Sequence, residues 1–141
     1  MTTEMTSPLR SAFVAGVMAF AATAAAAEAA VPLNEEPHIN ESLIAVAVGN
    51  AIRKTCPGIS ARMMVVFSKG RELQTYAYEK GYSKDEVEAF LDDDTEKARV
   101  KGLAADYMSA NGVVEGDVET YCVLGRAEIA KDSLIGSLLR E

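Results

Sequence analysis

Two cysteines, one histidine and a run of adjacent acids are the residues of this 141-residue chain whose types could do chemistry. Cys56 and Cys122 are far apart and lack the C-x-x-C spacing of a redox-active dithiol. Neither is near enough to His38 in sequence to suggest a zinc ligand set. In an oxidising compartment the two thiols are expected to form one structural disulfide, with free reactive thiols as the alternative. Closing that loop is worth on the order of 4 kcal/mol by the chain-entropy argument. His38 lies in the stretch EAAVPLNEEPHI, where nothing local holds an imidazole against a nucleophile. Nucleophile activation by histidine needs that positioning.

Asp92, Asp93, Asp94 and Glu96 could offer oxygens to calcium. The D-x-D-x-D-G spacing that wraps a loop round the ion is missing, so a solvated helix start is the expected role. A carboxylate pair for glycoside hydrolysis could be drawn from 21 acids, yet no two stand out, and aromatic sugar platforms are scarce at 6% aromatic with no Trp. These spacings predict no catalytic, cofactor-binding or metal site. The one site expected is the pair Cys56 and Cys122.

The elements that must position those cysteines follow from apolar periodicity. A first helix is predicted from Asn40 as N-cap, with Leu43, Ile44, Ala47, Val48, Ala51 and Ile52 facing a core, and it stops at Cys56-Pro57. A second runs from a cap at Ser60 to about Lys80, burying Met63, Val66, Phe67, Leu73 and Ala77. Within it, MMVVF could instead be a buried strand, although no second strand-like run offers to pair with it. Ser83 to Glu86 has the form of a capping box and opens a third helix that buries Val87, Phe90 and Leu91. Asp93 caps a fourth with Val100, Leu103, Ala104, Tyr107 and Met108 inward, ending at Asn111-Gly112. Asp117 caps a fifth, with Val118, Tyr121, Cys122, Gly125 and Ile129 inward, and Leu134 to Leu139 either extend it or form another short helix. The fold class expected is all-α, a bundle of about five helices with no sheet. Gly49, Gly70 and Gly125 inside helices point to close helix packing, and counting seven residues back from Cys56 and seven forward from Cys122 predicts Ile129 over Gly49. The methionines are expected as adaptable core filler.

The N-terminus carries an address. After Arg10, the uncharged run SAFVAGVMAFAATAAAA at residues 11–27 ends in small residues of the A-x-A kind, so residues 1–27 are read as a signal peptide cut after Ala27, before Glu28, with Ala30 as a second candidate. A retained anchor is the alternative, disfavoured because the run is short for a bilayer and rich in Ala rather than Leu. Residues 28–39 are expected to be a flexible leader and residues 40–141 one helical domain. The formal charge of −7 with scattered Lys and Arg excludes a basic stripe for nucleic acid or anionic lipid.

The Cys-Pro ending the first helix, the block from Tyr121 to Ala130 and the tail Ile135 to Arg140 together resemble a family of small exported alphaproteobacterial proteins of unknown function. The resemblance spans most of residues 38–140. It implies export and a single small domain, and it carries no catalytic residues across. The function expected is therefore a non-enzymatic periplasmic accessory protein that docks on a protein partner in the cell envelope, without stable membrane insertion of the mature chain. A small acid-responsive chaperone is the alternative, and a hydrolase with unidentified carboxylates a second one.

Overall fold

The computed structural model describes residues 31–141; the expected signal peptide, its cleavage point and the first residues of the leader lie outside them. In chain order the elements are a 3₁₀ turn at Leu33–Glu35, α1 at Pro37–Thr55, β1 at Ser60–Ala61, α2 at Met63–Glu79, α3 at Lys84–Asp92, α4 at Asp94–Ala110, α5 at Val118–Ala130, α6 at Leu134–Ser137 and β2 at Leu139–Arg140. The described residues are all-α apart from one short ladder, and Cys56 and Cys122 are bonded, with Cα atoms 5.2 Å apart.

The helix starts obey local chemistry. Ser83 Oγ accepts from the Glu86 amide while the Glu86 carboxylate accepts from the Ser83 amide at 2.7 Å, a reciprocal capping box. Asp93 and Asp117 each accept backbone amides of their own first turns. The run MMVVF is the start of α2 and not a strand.

Three boundaries differ from the sequence reading. Ser60 is not a helix cap: it stands in β1, antiparallel to β2, with Ser60 opposite Arg140 and Ala61 opposite Leu139. A ladder so short leaves no sequence period. Second, α1 starts at Pro37, not after Asn40, because Pro at the first helical position supplies its fixed φ and needs no amide partner. Third, from Val31 the leader is packed: the Tyr82 hydroxyl donates to the Val31 carbonyl, the Tyr76 hydroxyl to the Glu36 carboxylate, and Ile39 is buried. Asn40, freed from capping, donates to the carbonyls of Asn34 and Glu36 and accepts from Arg99 on α4 at 2.7 Å.

The main core is built on α1. Val48 and Ile52 are completely buried, each worth about 1.5–3 kcal/mol of apolar transfer. Ala104 of α4, Leu124 of α5, Ile135 of α6 and Leu139 of β2 close round them. A smaller cluster of Ile39, Ala77, Tyr82 and Val87 joins the start of α1 to α2 and α3. As α5 advances from Cys122, α1 retreats from Cys56, so Gly125 comes against Ile52. A Cβ there would lie 2.7 Å from Ile52 Cγ2 and 2.4 Å from Ile59 Cδ1. The residue over Gly49 is Leu139, with Cδ2 at 3.8 Å from a Cβ position, and not Ile129. The count from the bridge could not foresee that β2 brings Leu139 back over Gly49.

Gly136 makes the closest approach: a Cβ would fall 2.0 Å from the Glu128 carbonyl oxygen, and backbone cannot swing aside. Gly136→Ala is expected to destabilise by at least about 1–3 kcal/mol through overpacking. Gly49→Ala, meeting Leu139 only at ordinary contact distance, should be neutral or stabilising by up to about 1 kcal/mol from helix propensity. Urea unfolding of the two variants beside the parent chain checks the contrast.

Candidate functional site

The residues singled out by type do not converge. Cys56 and Cys122 are both buried and consumed by their bond, with no free cysteine among the described residues. His38, the second residue of α1, is exposed yet held: its ring stands edge-on to Tyr76, centroids 4.6 Å apart at 70°. Tyr76 also has Lys80 Nζ over its face at 5.3 Å, and its hydrogen bond to Glu36 pushes its phenol above the usual range. This group fastens the N-terminal segment to α2.

The acids of the α3–α4 junction serve the helix start. The amides of Glu96 and Thr95 hold the Asp93 carboxyl below its ordinary range, Asp94 pairs with Lys97 at 3.3 Å, and the Asp92 carbonyl accepts from Lys97. Glu96 is taken by Arg99 at 2.6 Å. Among the described residues no three His, Cys, Asp or Glu side chains gather where they could hold a metal ion, and no helix is long and apolar enough to cross a membrane.

The open face of the molecule is a groove. Val46 and Asn50 of α1, Met63 and Val66 of α2, Leu91 of α3 and Val100 of α4 line a main lobe of about 670 Å³. A side lobe of about 290 Å³ runs on along α2 past Phe67 to Ala77 and shares Leu43, Val66, Phe90 and Leu91 with the first. The inner face expected for α2 is largely outside: Met63 is 52% and Phe67 61% exposed, Leu91 of α3 is 49% exposed, and only Ala77 of α2 is buried. Similarly, Leu103 and Val118 face solvent rather than the core. Among the described residues the wall of the main lobe is made mainly of aliphatic and aromatic side chains. Its edge carries charge: Arg53, Lys54, Lys97 and Lys101 against the single acid Glu96.

The sequence reading missed Glu128. It is 1% exposed and accepts from Tyr107 of α4 at 2.8 Å, from Lys131 at 2.8 Å and from the Ser133 hydroxyl. Burial pushes this carboxyl up, but the donors Lys131, Ser133 and Tyr107, with the charge of Lys131, outweigh burial and hold it below the usual range. A signal existed, because Glu128 is three residues after Gly125 and seven after Tyr121, on the inward stripe of α5. Ionised, the group ties α4, α5 and the start of α6 together. A carboxyl whose folded-state pKa is depressed adds stability that is present above its unfolded pKa, about 4.3, and lost as pH falls through the folded value. Glu128→Gln is expected to cost about 1.5–3 kcal/mol at pH 7, with the gap to the parent closing below about pH 4, read by urea unfolding across pH.

No curated protein and no solved structure matches the chain. Residues 31–140 match a family of unknown function, DUF5333, which spans every element described above, and the chain belongs to that family.

Proposed function

We propose that this chain is a non-enzymatic periplasmic accessory protein that docks on a protein of the cell envelope through the groove between α1, α2 and α4. The observation that carries the reading is the exposure of Met63, Phe67, Val46 and Leu91 side by side along a preformed apolar channel. Large apolar groups gathered on one face, with Met and Phe among them, mark interaction surfaces. Export is supported by the uncharged run at residues 11–27 and by a bonded cysteine pair, which persists in oxidising compartments. Mass spectrometry of the native protein should find a mature N-terminus near Glu28, and intact Met1 or Thr2 in the membrane fraction would speak for an anchor instead.

The docking test compares the mature chain with its Met63→Glu/Phe67→Glu variant as baits on envelope extracts. Because both positions are exposed, the variant should keep the parent's circular dichroism and its stability to within about 0.5 kcal/mol. The parent should retain a partner that the variant loses. Equal retention by both baits would remove the groove from the reading. Dye binding that rises between pH 7 and pH 3 before helicity is lost would favour the acid-responsive chaperone.

A further inference from the structure

We propose that the occupant of the groove is a single amphipathic helix of the partner, apolar on one side and acidic along its flank. The inference rests on the docking reading and adds the shape and charge of what docks. Its first support is α1 itself. From Leu43 to Ile52 only Asn50 is polar, so this stretch of α1 is apolar on every side except where Asn50 meets the groove. A helix of that kind is built to be wrapped all round. Packing from α4, α5, α6 and β2 closes the faces that carry Ala45, Val48 and Ile52. The stripe of Leu43, Val46, Asn50 and Arg53 is left lining the open groove, with Val46 46% exposed. That spacing is i, i+3, i+7, i+10, the repeat along which a second helix lies.

The dimensions agree. Between Leu43 and Lys54 the open face of α1 is about 16 Å long, or three turns, which suits a short helix that presents anchors at i, i+3 or i+4, and i+7. The side lobe beyond Leu43 and Phe90 gives one large terminal anchor a place to insert. Charge then selects the flank. Arg53 and Lys54 stand at the end of α1, and Lys97 and Lys101 sit one turn apart on α4. Arg53, Lys54 and Lys101 have no ion-pair partner among the described residues, while Glu96 is neutralised by Arg99. On a chain of net charge −7, this concentration of cations round an apolar channel complements acidic side chains.

The test is a display selection of helices with randomised faces against the mature, disulfide-bonded chain, counter-selected with Met63→Glu/Phe67→Glu. Recovered binders should carry the three-anchor repeat and an acidic flank, and should weaken about ten-fold or more between low and high salt. Against Lys97→Glu/Lys101→Glu, both exposed positions, selection should return basic flanks. Binders with no charge bias, or a bias that the charge reversal leaves unchanged, would overturn the acidic flank while the docking reading stands. Failure to recover any groove-dependent helix overturns the inference as well. So does tighter occupancy by a second copy, seen as Phe67-dependent dimerisation in sedimentation, or by anionic phospholipid vesicles. The docking reading falls only if envelope capture is also indifferent to the Met63 and Phe67 changes.

Discussion

The bond between Cys56 and Cys122 joins the end of α1 to the second turn of α5, and the close approach of α5 to α1 at Gly125 sits within a turn of it. Once those Cα atoms are held 5.2 Å apart, α5 must cross α1 so closely that only glycine fits at position 125 under Ile52 and Ile59. A constraint on the order of 4 kcal/mol is comparable to the whole stability of a marginal domain. The sequence between the cysteines, which includes α2, α3 and α4, is thereby a closed excursion. Its middle, α2 and α3, rests on a small cluster of its own. The molecule therefore has a tightly clamped half round α1, α5, α6 and the ladder, and a lighter half that forms one wall of the groove.

Glu128 performs electrostatically on the far side of α5 what the bridge performs covalently at its start. A buried carboxylate is costly unless its lone pairs are occupied, and here three side-chain donors from α4, the end of α5 and the cap of α6 occupy them. With Gly136 pressed on the same residue's carbonyl, the turn from α5 into α6 has almost no freedom.

What could be read from sequence divides by range. Caps at Ser83, Asp93 and Asp117 act over three residues and were legible, as was a bridge in a chain with two cysteines. Pro37 was a local signal for the start of α1 that was missed, whereas the contacts that fasten the segment before it, Tyr76 to Glu36 and Tyr82 to Val31, span 40 and 51 residues and leave no local trace. The run MMVVF carries no period that separates helix from strand, and α2 was read as a helix because no strand offered to pair with that run. Apolar period could not tell that nothing in the described chain covers Met63 and Phe67, since an uncovered stripe and a core stripe have the same spacing. The register of Gly49 failed for a related reason: helical counting from the bridge cannot see a strand arriving from the end of the chain.

That arriving strand also sets an order of events. Arg62 donates its amide to the Leu138 carbonyl at 2.8 Å, Arg140 reaches Ser60 Oγ, and Leu139 covers Gly49. Each contact spans about eighty residues or more, so its closure entropy is met late and rewarded only when both ends are present. During synthesis the segment through α4 can form helices but cannot seal the face of α1 that residues 135–139 will cover. Until residues 135–139 are in place, that face of α1 stays open.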